Sequence, residues 1–477
     1  MSSLAPQSHA ATAAASGIDA RLSPSPAEEP VIKRLKRAPR GVEDDGLPLN
    51  DEVLLLVFAS SVDTADLVRC AATCRRWRRL VANEAAFICS HKPPAASLST
   101  RCRLNRALAV GFFHQSHEDD SGAPPKFLPL PSFSPRLPLD AALHDDDNND
   151  LFKNSRLIAS RKGRLVLELH RKSRAAALRL AVVNPATGDV TVLPALAGAD
   201  RPGHYVLSLL TADDLHESGA ALVVDHLPLS PAGFLLLVLY KRRRFKACRY
   251  YSSDAGAWGA ERKVTGTRVS VWRLSLATAG AVVVGGAAFW LSGASSSVLG
   301  LRVGASEATV ESFGRTGSTA YCRRHGSVGQ NRRLAVAPDG RLCAVQVEGD
   351  SGGGGGFRIR VFYRNDDRIS RKWARYKVGD MYLEQLLPAA SRAAVGRVCM
   401  RAVCESTGLV FFATGADLYA RQPDQALYAL DLETRKAWLV PAPPGRCPGP
   451  KSSSSWSFLG YEMDRVAYLS SLGEIDD

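Results

Sequence analysis

The sequence predicts an α+β multidomain fold in which a small three-helix unit precedes an all-β, propeller-like domain. Apolar residues recur at helical spacing over residues 47–87. From about residue 151 this periodicity disappears, and short apolar or alternating runs are separated by Gly, Asp, Asn and Pro. Short patterns also recur in the second region, as expected for a domain built from repeated sheets.

Changes in composition divide the 477 residues into four segments. Residues 1–45 are rich in Ala, Ser and Pro with a basic patch, and they predict a disordered tail. Residues 46–92 predict the helical unit, and residues 93–150 a helical and loop linker. Residues 151–472 predict the β domain.

The helical unit is read from its caps and its apolar spacing. Asn50 or Asp51 can cap a first helix that is apolar nearly all round and must be covered on more than one side. Asp63 or Thr64 can cap a second helix. A third helix is predicted to place one stripe of residues on a single face: Cys70, Cys74, Trp77, Val81 and Ala85. A unit of about 40 residues without a metal or a disulfide usually needs a partner.

Two patterns recur in the β region. An apolar run, a polar turn and then a Trp or aliphatic strand occur in "VVNPATGDVTVLP", "YSSDAGAWG", "YRNDDRISRKWA" and "ALDLETRKAWLVP". A Gly-led strand occurs in "KGRLVLEL", "DGRLCAVQV" and "TGLVFFA". A repeated four-stranded sheet explains both patterns, and at about 40–50 residues per blade the region would supply roughly six blades or slightly more.

Bulk properties restrict the classes of function. The net charge of +14 and the pI near 9.4 permit attraction to nucleic acid or to acidic proteins without requiring either. The N-terminus lacks the basic and apolar regions of a secretory signal, although its acid-poor composition also fits an organelle transit peptide. The longest apolar run, at 276–291, is short for a membrane span and contains glycines, so no membrane association is predicted. We expect the protein in the nucleus, the cytoplasm or both.

The cysteines and acidic loops do not predict a metal site. The close pairs Cys70–Cys74 and Cys399–Cys404 lack the CxxC spacing of a zinc site, and a reducing compartment fits the scattered thiols. Residues 117–120 and 144–150 combine His with carboxylates, but they lack the ordered spacing of a calcium loop and are interpreted as solvated. No hydrolase, zinc-protease or dinucleotide motif is present, so we predict no catalytic residues and no cofactor.

Three basic segments each allow two readings. Arg75, Arg76, Arg78 and Arg79 could belong to a DNA-recognition helix, but their flanks lack polar base-reading residues, which favours a solvated face. "KRLKRAPR" at 33–40 is a nuclear-import signal or a charged linker. "KRRRFK" at 241–246 predicts an exposed hairpin turn, with contact to phosphate or an acidic substrate as the alternative.

The helical unit resembles an F-box. The resemblance is carried by "LP" at Leu47–Pro48, by "DEVLLLVF", by "DLVRCAATCRRWRRLV" and by the closing "AAF". In that family the motif docks on the Skp-type linker of a Skp–cullin–F-box ubiquitin ligase. The resemblance implies that linker contact is made by six residues: Leu47, Pro48, Leu55, Leu56, Leu67 and Trp77.

The β region is similar to the F-box-associated, kelch-like propeller region of plant F-box proteins, especially the large grass families. "VVNPATGDVTVLP", "VVVGGAAFWL" and "ALYALDLETRKAW" carry this similarity. It implies a non-catalytic adaptor that binds a Skp-type linker, through it a cullin, and recruits an unknown protein target for ubiquitination. Two alternatives stay open: a propeller enzyme or carbohydrate-binding module with an unrelated helical appendage, and a basic nucleic-acid-binding regulator.

Overall fold

The structure is a computed structural model. It describes residues 49–60, 64–90, 109–116, 122–130, 139–144, 150–171, 173, 175–216, 229–230, 233–266, 280–291, 297–303, 308–315, 332–337, 340–349, 356–364, 373–375, 380–388, 395, 397–415, 426–440 and 456–473. The predicted tail 1–45, with its basic segment 33–40, lies outside the described residues, as do the acidic loop 117–120 and most of the loop 144–150.

The helical region contains four described helices rather than three: α1 (Asp51–Ser60), α2 (Thr64–Thr73), α3 (Arg75–Asn83) and α4 (Ala85–Ser90). The Asn50 carboxamide caps α1 by accepting the Val53 N–H at 2.9 Å. The prediction of one helix from Cys70 to Ala85 was wrong, because the backbone at Cys74 is extended (φ −155°, ψ 165°). The thiol of Cys74 instead caps α3, accepting the Trp77 N–H at 3.5 Å.

Six β-sheet blades follow. Blade 1 consists of β3 (Arg156–Arg161), β4 (Arg164–Glu168), β5 (Leu180–Asn184) and β6 (Asp189–Val192). Blade 2 consists of β7 (Tyr205–Thr211), β8 (Phe234–Lys241), β9 (Lys246–Ser252), β10 (Ala257–Trp258) and β11 (Arg262–Gly266). Blade 3 consists of β12 (Val282–Val284), β13 (Ala287–Leu291), β14 (Ser297–Val303) and β15 (Ala308–Arg315). Blade 4 consists of β16 (Arg332–Val336), β17 (Leu342–Gly349), β18 (Phe357–Arg364), β19 (Trp373–Arg375) and β20 (Met381–Tyr382). Blade 5 consists of β21 (Arg397–Val403), β22 (Leu409–Gly415), β23 (Ala426–Asp431) and β24 (Lys436–Val440). Blade 6 consists of β25 (Trp456–Glu462), β1 (Ala109–Ser116) and β2 (Lys126–Pro129). Short helices are α5 (Ala141–His144), α6 (Ala212–His216), α7 (Leu383–Leu386) and α8 (Arg465–Ser471).

The blades form a closed ring. Each innermost strand (β3, β7, β12, β16, β21 and β25) contacts the innermost strand of the next blade, and β25 contacts β3. Blades 2 and 3 are also joined at their outer edges, where β11 pairs in parallel with β15. The structure therefore confirms an all-β, propeller-like domain with six blades.

Blade 6 combines strands from opposite ends of the domain. β25 pairs antiparallel with β1, with Leu459 opposite Phe113, and β1 pairs with β2. The sequence predicts residues 93–150 as a linker. The structure shows that this segment also contributes β1 and β2 to the propeller. The local sequence conceals this because the pairing partner of β1 is encoded more than 300 residues later in the chain. The ring is closed by hydrogen bonds between its two ends.

The recurring sequence patterns occupy equivalent places in the blades. Where the structure describes them, the runs with a polar turn lie in the outer strand pairs of blades 1, 2, 4 and 5. The Gly-led strands are β4, β17 and β22, each the second strand of its blade. Gly163, Gly340 and Gly408 precede them with φ of 73°, 82° and 68°, values that favour glycine. The repetition therefore reports a turn geometry that is shared between blades.

An ion cluster crosses the axis of the propeller where its innermost strands end. The Arg161 guanidinium donates to both carboxylate oxygens of Asp214 at 2.6 and 2.7 Å. Its Nε donates to both oxygens of Glu405 at 2.8 and 3.0 Å. The side chains of Arg161, Asp214 and Glu405 are at most 10% exposed. We call these three residues the axial cluster.

The axial cluster, together with the adjacent Glu462, connects all six blades. Glu405, from blade 5, accepts the N–H of Val283 in blade 3 at 2.9 Å, and its carbonyl accepts the N–H of Val336 in blade 4 at 2.8 Å. Glu462 in blade 6 accepts the N–H groups of Ser406 and Thr407, and its carbonyl accepts the N–H of Gly163 in blade 1. Because every innermost strand ends at this cluster, all six run in the same direction along the axis.

Burial and the arginine act in opposite directions on the two carboxyl groups of the axial cluster. At Asp214 burial raises the pKa, but the hydrogen bonds and charge of Arg161 lower it by more than burial raises it. The pKa of Asp214 therefore lies below its ordinary value. At Glu405 burial outweighs the attraction of Arg161, and the pKa lies above its ordinary value. Arg161 therefore compensates two buried carboxyl groups at once.

Helix α8 joins the propeller to the helical region. It follows β25 directly, and Asp464 caps it through the Ala467 N–H at 3.1 Å while bonding Arg164 of blade 1 at 3.3 Å. Tyr468 packs against the propeller core between blades 6 and 1. Leu469 is fully buried in the core of the helical region, in the cluster that also contains Phe58 and Val81. A helix encoded at the far end of the chain thus completes the small helical core.

We expect Arg161→Leu to lower the free energy of unfolding by about 3–5 kcal/mol at neutral pH, because two buried carboxylates lose their cation. Without the arginine, burial raises the folded-state pKa values of Asp214 and Glu405 above their unfolded values, so the variant gains stability as the pH falls. The difference in the free energy of unfolding between the wild type and the variant therefore narrows in mild acid. Urea denaturation at neutral pH and in mild acid measures the free energy of unfolding of each protein. Arg69→Leu is the control, since its pair with Asp66 is exposed on both sides and is worth less than about 1 kcal/mol. Equal losses in the two variants would contradict the role of the axial cluster.

We expect Leu469→Asp to unfold the helical region while the propeller stays folded, because a carboxylate replaces a fully buried leucine among α1 to α4. Hydrogen exchange, resolved by peptide, should show faster exchange in residues 51–90 and unchanged exchange in the blades. Ser470→Asp, at the exposed neighbouring position, should leave both regions protected. Unchanged protection of residues 51–90 in Leu469→Asp would show that α8 is dispensable for that core.

Candidate functional site

Helix α1 has two apolar faces, and the chain covers one of them. Leu54 and Phe58 are buried in the core of the helical region. Leu49, Val53, Leu56 and Val57 are 40%, 41%, 52% and 52% exposed. Their spacing of i, i+4, i+7 and i+8 places them on one stripe along the helix. We call these four residues the α1 stripe.

The α1 stripe is an unusual concentration of exposed apolar surface for this chain. Nine large hydrophobic residues are exposed among those the structure describes, and five of them lie between Leu49 and Phe87. Phe87, on α4, is 41% exposed. Single exposed apolar residues are normal, whereas a contiguous patch marks an interaction surface. The predicted need of this helix for cover on a second side is therefore met only in part by the chain itself.

The six residues predicted to contact a linker protein occupy different environments. Leu47 and Pro48 lie outside the described residues. Leu56 is exposed on the α1 stripe, and Leu55 is half-buried against the core. Trp77 is half-buried with its ring edge-on to Phe58 at 5.3 Å. Leu67 is fully buried, so it supports the helical core and offers no surface to a partner while that core is intact.

Sequence reasoning missed four residues of the exposed patch: Leu49, Val53, Val57 and Phe87. A signal for three of them was present, because Leu49, Val53 and Val57 share helical spacing with Leu56. The run is apolar on every side, and the spacing alone does not indicate which side the chain covers. That choice depends on α3 and α4, which pack on α1, and on α8, which packs on both of them and adds Leu469 to the same core.

The arginines of α3 are partly used within the helical region. Arg76 donates from Nη2 to the Leu49 carbonyl at 2.6 Å and pairs with Asp51 at 2.9 Å, which ties α3 to the start of α1. Arg78 donates to the Ala71 carbonyl at 3.4 Å. Arg75 and Arg79 are exposed. The predicted basic face is thus partly a structural tie.

The thiols in this region are buried or structural. Burial raises the pKa of Cys89 to about 11, which keeps it protonated and unreactive at neutral pH. Cys74 caps α3. Within the described residues, no group of three or more His, Cys, Asp or Glu side chains is arranged to hold a metal ion. No described helix is both long and apolar enough to cross a membrane.

The carboxylates that meet at the propeller axis form a closed ion cluster. To serve an active site, these carboxylates would have to be open to a substrate at the mouth of the ring. Asp214 and Glu405 instead both bond Arg161 and are almost fully buried. Their arrangement suits cross-linking of blades and leaves no carboxylate oxygen of this pair facing a substrate.

Comparison with known solved structures returns matches of low similarity. The β-propeller domain of the Trilobed protease from Pyrococcus furiosus is 6% identical, with 58% of this chain and 70% of that chain covered and a TM-score of 0.30. Kuenenia stuttgartiensis hydrazine synthase is 14% identical, with 60% of this chain and 65% of that chain covered and a TM-score of 0.30. A post-proline cleaving enzyme from Rickettsia typhi is 8% identical, with 83% of this chain and 61% of that chain covered and a TM-score of 0.30. None of these values supports an argument about activity.

Comparison with protein families identifies the helical region. No curated protein matches the chain. Residues 48–87 match the family described as F-box-like, and this match spans α1 to α3 and the first residues of α4. The chain therefore carries an F-box-like domain at residues 48–87, followed by an all-β propeller of six blades.

Proposed function

We propose that this protein is a non-catalytic substrate adaptor of a Skp–cullin–F-box ubiquitin ligase. The F-box-like domain docks on a Skp-type linker protein, and through it on a cullin. The propeller holds a protein target. Ubiquitin transfer then proceeds because the target lysine is kept at a high effective concentration near the charged ubiquitin carrier.

The observation that carries this proposal is the α1 stripe on a domain of the F-box-like family. A helix with one buried and one exposed apolar face needs a partner for the second face. Leu56 and Val57, each 52% exposed, are the most exposed residues of that face and would be covered by a docked protein. Side chains that a partner desolvates completely are the ones that usually contribute most of the affinity of an interface.

Helix α8 supports the adaptor role by fixing geometry. Tyr468 packs against the propeller core, and the next residue, Leu469, is buried within the core of the F-box-like domain. One short helix with buried contacts on both sides restricts hinge motion between the two parts. A target held by the propeller would consequently keep a defined position relative to the linker protein.

We expect Leu56→Asp to weaken binding to a purified Skp-type linker protein by at least about 30-fold, because an unpaired carboxylate would be buried in the interface. Calorimetric titration of the full chain measures the affinity, and thermal unfolding checks that the fold is intact. Leu439→Asp is the matched control, since Leu439 is 57% exposed on blade 5 and should bind like the wild type.

Two results would contradict the proposal. One is equal linker affinity of Leu56→Asp and the wild type. The other is failure of the wild-type chain to bind any Skp-type linker under conditions in which a known F-box protein binds. A point variant is preferable to deletion of residues 47–90, because that deletion would expose Leu469 and Leu472 and create a new apolar surface.

A further inference from the structure

Exposed cations collect at one end of blades 1 and 2, the end at which the innermost strands β3 and β7 begin. This end lies a full strand length, about 17–20 Å, from the axial cluster and the F-box-like domain. We call it the basic end. Its exposed cations are Arg179, Arg201, Lys241, Arg243, Arg244 and Lys263.

The described acidic residues of blades 1 and 2 at this end are already engaged. Glu168 is buried and bonds both Arg156 at 2.6 Å and Arg171 at 3.3 Å. Asp200 pairs with Arg249 at 2.6 Å. Glu261 pairs with Arg242 at 2.5 Å. Within the described parts of blades 1 and 2, none of the six exposed cations of the basic end is in an ion pair, so their charge is available to a partner.

Hydrogen bonds make the basic end one surface. Arg171 in the β4–β5 connection donates to the Pro202 carbonyl at 2.6 Å, which ties it to the connection between blades 1 and 2. Arg201 in that connection donates back to the Ala175 carbonyl. Arg242 in the β8–β9 hairpin donates to the Arg201 carbonyl at 3.3 Å. The cations therefore lie on adjoining segments with defined mutual positions.

The β8–β9 hairpin presents two arginines on a rigid support. Residues 241–246 form an exposed hairpin, as the sequence predicts, closed by the Arg242 N–H on the Phe245 carbonyl at 2.8 Å. Arg242 is held by Glu261 and lies over the Tyr240 ring at 4.9 Å, and Phe245 packs on the blade core. Arg243 and Arg244 at the tip are exposed. A fixed backbone reduces the ordering cost of binding at these two side chains.

The aromatic residues of this end favour a polypeptide over a nucleic acid. Single-stranded nucleic acids are bound by cations together with exposed aromatic rings on which bases stack. Here Tyr240 and Tyr250 are buried beneath arginines, with Arg262 over Tyr250 at 5.0 Å, and Phe245 is packed on the core. The basic end therefore offers positive charge and hydrogen-bond donors without a stacking platform.

We propose that the basic end of blades 1 and 2 binds an acidic segment of the target protein, with Arg243 and Arg244 as principal contacts. This inference rests on the proposed adaptor function in that it names the chemistry of the target. Carboxylates of the segment accept hydrogen bonds from the guanidinium groups, and the surrounding lysines and arginines steer its approach. The target is then held at the end of the propeller remote from the F-box-like domain.

The test uses the full chain and a fluorescein-labelled oligoglutamate peptide, with binding followed by anisotropy at low and physiological salt. We expect saturable binding that weakens as salt rises. The double variant Arg243→Glu/Arg244→Glu should bind at least about tenfold more weakly than the wild type. Arg435→Glu/Lys436→Glu is the matched control, because it reverses the same number of charges on an exposed hairpin of blade 5 at the other end.

Three results would overturn the inference. The first is no binding of the peptide by the wild type at low salt. The second is an equal loss in both double variants, which would show only a response to net charge. The third is tighter binding of a single-stranded RNA of equal charge, lost in Arg243→Glu/Arg244→Glu, which would reassign the surface to nucleic acid.

Linker binding is measured in parallel on the same samples. Arg243→Glu/Arg244→Glu should bind the Skp-type linker protein like the wild type, because the hairpin lies at the end away from the α1 stripe. Loss of peptide binding with linker binding retained supports both proposals. Peptide binding without any linker binding by the wild type would reject the adaptor function while leaving the acidic-segment site in place.

Discussion

The buried contact between one arginine and two carboxylates at the propeller axis is the interaction on which the remaining architecture depends. A ring of blades packed only by apolar side chains leaves its centre lined by the ends of six strands. Arg161, Asp214 and Glu405 fill that centre with charge-assisted hydrogen bonds that reach across the ring. Such a cluster is demanding, because each carboxylate must remain compensated in a low-dielectric site. Its formation therefore requires the blades to be in register, and so the ring must close correctly.

Closure also determines where the F-box-like domain sits. The last innermost strand, β25, ends at Glu462 beside the axial cluster, and the chain continues directly into α8. Asp464 is tied to Arg164 on blade 1, next to the strand that supplies Arg161. Helix α8 is thus placed by the same contacts that close the ring, and Leu469 carries that placement into the helical core. A domain too small to fold well alone obtains part of its core from the end of the chain.

Local patterns in the sequence predict much of this molecule, and non-local contacts account for what they miss. The Asn50 cap, the 241–246 hairpin and the turn glycines follow from short-range rules, and the structure confirms each of them. The pairing of β1 with β25 and the insertion of Leu469 between the helices join distant segments that no local period connects. The same reason explains the incomplete prediction of the docking face. Helical spacing identifies two apolar sides of α1, and the packing of α3 and α4 on this helix, completed by α8, decides which side stays exposed.

The two candidate interaction surfaces differ in chemistry in a way that suits their separation. The α1 stripe is apolar and preformed, so its affinity would come from desolvation and would change little with salt. The basic end is charged, so its affinity and association rate would depend strongly on salt and on the acidity of the partner. An apolar surface suits a constant subunit, because it needs no further signal to bind. A charged surface suits a changing set of targets, since the number of acidic groups on each target sets how long it stays bound. With α8 fixing the two surfaces at opposite ends of one body, occupancy of the basic end alone would decide which protein is presented for modification.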